Sequence, residues 1–434
     1  MALDTSGEPR ADAAANANAP WYREIGTAGW RAISGALIAF TFENFDIFLL
    51  SLTIPALVAD FHSTNQAAGL VASVTSAGLI VGGILAGWLA DRIGRRRLLA
   101  YSILVYGIFT GLIAFSGSFL QVGTLRFFAG LGMGGGWTAG AALVAEACPP
   151  RHRGKGGAAM QAGLPIGSLL AVGTALLLTS HYGTLNAGVW KLLYAVGAVP
   201  ILFAAYVWFF VPESPMWRQA ERAAPTPGWR HAALGLRSAV LGPQTRRPFL
   251  IAFVFVFCVQ YVYYAVFTFA PTFLLKVRGM TLTHSLTFTL VQQCGSLVGF
   301  VLFGALVDRL GRRPVFSGYL LLGGIATALF ITQKESGLLL AVTFFTGMGI
   351  AGIYAGLGPW TAEMMRASSS RAFAMGLIYN GGRIGGALAP FIVGSLATSA
   401  GGFAIGMATT LVAFALSFIA ISLSRETKGT ELSA

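Results

Sequence analysis

Gly87-Trp88-Leu89-Ala90-Asp91-Arg92-Ile93-Gly94-Arg95-Arg96 recurs 217 positions later as Gly304-Ala305-Leu306-Val307-Asp308-Arg309-Leu310-Gly311-Arg312-Arg313. The same offset, without a gap, carries Gly130, Gly132, Gly135 and Glu146 onto Gly347, Gly349, Gly352 and Glu363. A 434-residue chain that repeats at half its length is a parallel duplication. Each copy of the motif ends an apolar run, so the repeated unit is a set of membrane helices.

Composition agrees. Hydrophobic residues make up 55% of the chain, charged residues 10%, and mean hydropathy is +0.71. Soluble domains carry about a quarter charged residues, so a soluble globular enzyme and a disordered chain are both excluded. The 56 glycines follow no collagen-like period. Three cysteines, an odd number with Cys258 and Cys294 in apolar runs, predict no disulfide framework. The net charge of +13 points to a bilayer rather than nucleic acid in a chain this apolar.

A bilayer crossing needs about 20 apolar residues. The runs that qualify are 32–57, 68–90, 98–116, 120–146, 156–180, 189–211, 248–275, 284–307, 314–332, 337–363, 371–397 and 401–423. The expected fold is therefore an all-α membrane protein of twelve transmembrane helices in two six-helix repeats. Its parts are a tail (1–31), an N-terminal bundle (32–211), a linker (212–247), a C-terminal bundle (248–423) and a second tail (424–434). The first 20 residues lack the apolar core of a signal peptide and read as a disordered tail. Basic residues orient the chain: 23 of the 29 fall on the side of the termini and linker, against Lys191, Lys276, Arg278 and Lys334 opposite. By the positive-inside rule, termini and linker are cytoplasmic. Within the linker, 228–242 mixes Trp229, Leu234, Leu236 and Val240 with Arg230, His231 and Arg237, the composition of an interfacial helix or of a solvated basic segment.

The repeated motif has physical content. Gly87 and Gly304 let neighbouring helices approach closely. Asp91 and Asp308 can accept hydrogen bonds from a helix N-terminus or pair with arginine. Glu146 and Glu363 are natural partners for Arg95 and Arg312. With Arg92, Arg96, Arg309 and Arg313 these groups are expected to form a latch between the halves. Gly130-x-Gly132-x-x-Gly135 fits the spacing of a dinucleotide fingerprint, but it lies inside an apolar span, where small residues serve helix packing.

These paired motifs resemble the loop signature of the major facilitator superfamily, and they stand after spans 2 and 8, as in that family. Arg126-Phe-Phe-Ala-Gly-Leu-Gly-Met-Gly-Gly resembles its span 4 signature. Pro212-Glu213-Ser214-Pro215-x-Trp217 and Glu426-Thr427-Lys428-Gly429 resemble the segments closing each half in sugar porters and organic-ion transporters. Trp137-x-Ala-Gly-Ala-Ala-Leu-Val-Ala-Glu146 with Arg151-His-Arg-Gly resembles the proton-linked carboxylate and sialate symporters. Asn380-x-x-Arg383-Ile-Gly385 resembles the aromatic acid/proton symporters. Glu43-x-x-Asp46 does so too, although Glu replaces that group's usual first Asp and Asn44 the following Gly. The resemblance implies alternating access about a central site between the halves, with no cofactor and no enzymatic activity.

Deep in the spans only Glu43, Asp46, Arg126 and Arg383 carry charge by strong acid or base chemistry. A charge at the bilayer centre costs at least about 2.5 kcal/mol, so each is a functional candidate. Glu43 and Asp46 share a helix face, and their repulsion favours a proton on one of them. Asp46 is the expected proton carrier, with Glu43 as its partner or as the alternative carrier, and Arg126 is expected to face Asp46. Ionised, the four sum to zero; with one acid protonated the site is +1, which a monovalent anion neutralises. That is a logic for proton–anion symport. Arg383, alone in the C-terminal half, reads as a carboxylate clamp or as the permanent partner of Glu43 or Asp46. Gln161, Gln260, Tyr264, Gln292, Gln293, Tyr354, Asn380 and Trp137, with Arg126, are expected to complete the substrate site. The expectation is a monomeric secondary transporter, a proton-coupled symporter of a small organic acid in the inner or plasma membrane. A sugar or polyol porter is the alternative, and a drug/proton antiporter a weaker one.

Overall fold

The computed structural model describes residues 21–63, 65–183, 185, 188–223, 242–280, 282–333, 336–366, 371–397 and 402–432. The tail 1–20, nearly all of the segment 228–242, and Lys334 lie outside them. Twelve helical spans follow in order. The first six are α1 (Gly26–Asp60), α2 (Asn65–Ile93), α3 (Arg95–Ile113), α4 (Phe119–Ala147), α5 (Pro150–Tyr182) and α6 (Trp190–Phe210). The second six are α7 (Arg246–Lys276), α8 (Leu282–Leu310), α9 (Arg312–Thr332), α10 (Gly337–Met364), α11 (Arg371–Ala397) and α12 (Gly402–Leu423). Among the described residues, eleven are long and apolar enough to cross a membrane. The twelfth, α11, is a 27-residue helix carrying Arg371, Asn380 and Arg383.

The repeated motif makes the same corner twice. Gly94 and Gly311 precede α3 and α9 with φ of 99° and 104°, a region open to glycine and strained for any other residue. A Cβ at Gly94 would collide with the Glu213 carboxylate, and one at Gly311 with that of Glu426. Those carboxylates cap the exposed N–H groups of the two helices. Arg95 and Arg96 donate backbone N–H to Glu213 at 2.9 and 3.1 Å, and Arg312 and Arg313 to Glu426 at 2.8 and 3.0 Å. Thus the acid that closes each half anchors that half's third helix.

Glycines also carry the close helix contacts. A Cβ on Gly78 or Gly82 of α2 would strike the backbone of α4, and one on Gly295 or Gly299 of α8 that of α10. Gly130, Gly132 and Gly135 face the backbone or side chains of α2 and α3, which explains their fingerprint-like spacing as packing. Between the halves, α2 lies along α11, and the first part of α5 (Arg153–Gln161) lies against α8 and α10. Its outer part, Gly163–Tyr182, packs chiefly on α1.

Candidate functional site

A cavity of about 290 Å³ lies between the halves. Along α1 its wall runs from Phe40 through Asn44, Ile47 and Phe48 to Ser51, and along α7 from Gln260 through Tyr263, Tyr264 and Phe267 to Thr268. Both walls lead away from the arginine-rich loops. Thr289, Gln292 and Gln293 enter from α8, Tyr354 from α10, and Tyr379 and Arg383 from α11.

Two buried ion pairs are made by acids of α1, and they differ in kind. Arg383 Nη2 donates to Glu43 Oε1 at 3.0 Å, bridging α11 and α1 and hence the two halves. Glu43 is fully buried, and its Oε2 and Arg383 Nη1 have no hydrogen-bond partner among the described residues. The second pair lies within the N-terminal bundle. Arg126 Nη1 donates to Asp46 Oδ2 at 2.9 Å, while Nη2 reaches Asp46 O at 3.2 Å and Tyr194 Oη at 3.3 Å. Tyr194 Oη is shared with Thr53 Oγ1 at 2.8 Å, and Asp46 Oδ1 has no partner. Neither Arg126 nor Asp46 lines the cavity.

The arginine-loop side of the cavity is closed by contacts across the halves. Trp137 of α4 stacks on Tyr379 of α11, with ring centroids 3.4 Å apart and planes 7° from parallel. Trp137 Nε1 donates to Gln161 Oε1 at 3.1 Å, and Gln161 Nε2 donates to Tyr354 O at 2.9 Å. Asn380 Nδ2 bonds Thr138 Oγ1 at 3.2 Å. Gln260 Nε2 donates to Tyr379 O at 3.1 Å. Arg383 lies over the Tyr379 ring at 5.4 Å.

Farther along, the halves are joined by a crossed pair of caps. Asp91 Oδ2, on α2, accepts the N–H of Phe373 at the start of α11 at 3.2 Å. Asp308, on α8, accepts the N–H groups of Gly154 and Lys155 at the start of α5, each at 3.0 Å. Glycines allow both approaches: a Cβ on Gly87 would press on Ala372 and Phe373, and one on Gly304 on Ala158. Glu146 and Glu363 are hubs. Glu146 pairs with Arg95 at 3.1 Å and, across the seam, with Arg371 at 3.2 Å. Glu363 pairs with Arg312 at 2.7 Å and, across the seam, lies 3.9 Å from Arg153.

The residues singled out from the sequence fall in different places. Arg383, Gln260, Tyr264, Gln292, Gln293 and Tyr354 line the cavity. Trp137, Gln161 and Asn380 are not among its lining residues: Trp137 Nε1 is held by Gln161 within the N-terminal half, while Gln161 and Asn380 each donate a bond across the seam. Arg126 belongs to a sealed pair in one bundle. Arg92 stacks on Trp88 at 4.1 Å, Arg96 lies over Trp208 at 5.9 Å, and Arg313 donates to Ser422 O, all contacts within one half. Arg309 contributes its carbonyl to Lys428 Nζ, also in its own half. Arg153 and Arg371 reach across the seam, to Glu363 and Glu146. Tyr379 was missed, although its position four residues before Arg383 puts both on one helix face.

The Major Facilitator Superfamily profile matches residues 36–300 and 284–434. The cis,cis-muconate transport protein of Acinetobacter baylyi is 31% identical over 389 residues, covering 88% of this chain and 91% of that protein. The niacin transporter NiaP of the same organism is 27% identical over 427 residues, covering 91% and 93%. The proton:xylose symporter XylE, in a structure with 6-bromo-6-deoxy-D-glucose, matches with a TM-score of 0.75 at 20% identity, covering 94% of this chain and 98% of that one. At that identity the likeness speaks for the fold.

Proposed function

The chain belongs to the Major Facilitator Superfamily, and on that premise we propose that it carries a small organic acid, as its carboxylate, by proton-coupled symport. The observation that carries this reading is Arg383. A cation with an unpartnered Nη1 faces an aromatic cavity, and its one acid partner, Glu43, belongs to the other half of the molecule. Guanidinium suits carboxylate because its fork donates two parallel hydrogen bonds. The names of the muconate and niacin relatives point to the same chemistry.

Proton and substrate help one another at such a site. While Glu43 is ionised it neutralises Arg383 and competes for it. A proton on Glu43 releases the guanidinium, and an incoming carboxylate restores neutrality in a site that tolerates no net charge. By linkage, the bound anion equally favours the proton. Asp46, held by Arg126 about 0.8 of a helix turn along α1 from Glu43, is the proton carrier that exchanges its proton with Glu43, the group through which substrate senses it.

Alternating access follows from the asymmetric closure. The positive-inside rule supports a cytoplasmic arginine-rich end and cytoplasmic termini, an orientation in which this conformation faces outward across the inner or plasma membrane. Opening inward breaks the Trp137–Tyr379 stack, the two caps and the Glu146–Arg371 bridge, as the bundles rock about the cavity. One chain contains the whole site, so the working unit is a monomer.

The test is uptake into proteoliposomes under an inward acid gradient, with benzoate, lactate, a sugar acid and xylose. Carboxylate should accumulate and a protonophore should abolish the accumulation. Asp46→Asn should lose at least nine tenths of gradient-driven uptake but retain counterflow exchange, which needs no net proton movement. Uptake of xylose alone would overturn the reading.

A further inference from the structure

Among the side chains lining the cavity, Arg383 alone carries charge. The others are aromatic, aliphatic, hydroxyl or amide, and most of the amides are engaged. Asn44 Nδ2 donates to Phe40 O at 2.8 Å, Gln260 bonds Tyr379 O at 3.1 Å, and Gln292 Nε2 lies 3.4 Å from Thr346 Oγ1. Gln293 is different. It is 9% exposed, lines the cavity, and its buried Oε1 has no partner. Two residues that line one cavity thus each hold a buried polar atom with no hydrogen-bond partner among the described residues, Gln293 at Oε1 and Arg383 at Nη1. They enter from separate directions, since α8 packs on α10 and α5 whereas α11 packs on α7 and α2.

We propose that the cargo is a monocarboxylate bearing one neutral polar substituent, with the anion on Arg383 and the substituent on Gln293, and that dicarboxylates are discriminated against. This rests on the carboxylate reading above and sharpens it. A buried amide without a partner is costly, and a ligand group that satisfies it is selected over one that leaves it bare. The terminal amide can turn over, offering N–H or oxygen, so a hydroxyl, a carboxamide or a ring nitrogen is accommodated. A second carboxylate is not. It would meet neutral side chains in an apolar cavity with no second cation, and a buried unpaired charge is heavily penalised. On the α7 wall of the same cavity, Tyr263 and Phe267 stack with centroids 4.3 Å apart, a flat surface for the carbon skeleton. On this reasoning the chain parts from its muconate-named relative in substrate charge.

Three ligands on one framework test this: benzoate, 3-hydroxybenzoate and benzene-1,3-dicarboxylate, compared by half-saturating concentration in proteoliposome uptake and by binding to the purified protein. The hydroxy acid should be favoured over benzoate by about tenfold, and the diacid should be the weakest by at least tenfold. In Gln293→Leu and Gln293→Met the hydroxy-acid to benzoate ratio should fall to near one, whatever happens to absolute rates. Gln293→Lys, which supplies a second cation, should raise the diacid relative to benzoate. Equal handling of diacid and hydroxy acid by the wild type would overturn the proposal, as would a preserved ratio in both neutral variants. So would loss of all three ligands in both, which would make Gln293 a packing residue. Failure of the wild type to take any carboxylate would instead overturn the carboxylate reading, and this proposal with it.

Discussion

The terminal nitrogens of Arg383 have different surroundings: Nη2 is held by Glu43 at 3.0 Å, and Nη1 is unmet. If Glu43 competes with substrate for the guanidinium, removing its charge changes affinity and pH dependence together. In the wild type, substrate should bind more tightly as pH falls, because protonating Glu43 frees Arg383. Glu43→Gln should bind about tenfold more tightly than wild type at pH 8, a difference of about 1.4 kcal/mol, and should show a flat profile between pH 6 and 8. Calorimetric or radioligand binding at both pH values measures it. A variant that retained the wild-type slope would exclude Glu43 as the coupling group. The sealed Asp46–Arg126 pair makes the contrasting case: no cavity-lining atom belongs to it, so exchanging its charge bears on the proton cycle before it bears on affinity.

Each half is tied off by an acid beyond its last helix, and Glu426 illustrates what such an acid does for an element. Burial opposes its charge, but the N–H groups of Arg312, Arg313, Lys428 and Thr427 outweigh that and hold its carboxyl below the usual range. A group whose pKa is lowered by folding stabilises above its unfolded value, and that contribution fades as pH falls through the folded one. Glu426→Gln should therefore cost about 1 kcal/mol of stability at pH 7, the scale of a helix cap. Thermal unfolding in detergent should show the gap to wild type closing at pH values below the carboxylate range. Much at this scale was legible in the chain. The twelve spans, the doubled corner at Gly94 and Gly311, and the pairing of Glu146 with Arg95 and Glu363 with Arg312 all follow from apolar run length and from one repeat. What the chain hid was which faces meet across the seam. Arg153 and Arg371 read only as basic residues that orient the protein, because their carboxylate partners lie in the opposite repeat. Trp137, Gln161 and Asn380 read as pocket residues because polarity in an apolar helix marks a need for partners without saying whether ligand or protein meets it. Tyr379 shows the complementary case, in which the cavity wall is defined by helix rotation that a one-dimensional pattern does not carry.

The whole molecule is two similar bundles that share one closed end, and the closure is itself duplicated: an aspartate of each repeat caps a helix of the other. Rocking apart must release both caps within one motion, so the closed end behaves as a unit rather than as a row of independent contacts. Next to it, the indole of Trp137 lies flat against the phenol of Tyr379 at 3.4 Å, one ring from each bundle and both buried. This places a chromophore pair on the seam, and under the alternating access proposed above the pair separates as the bundles rock apart. Although the chain has nine tryptophans, the difference in emission between the wild type and Trp137→Phe isolates this one. Substrate added with acid should move that difference signal to longer wavelength as the indole meets water, within the time of a single turnover. Substrate without a proton, or a proton without substrate, should leave it in place. The chain thus carries, without any added label, an optical clock for its own conformational cycle.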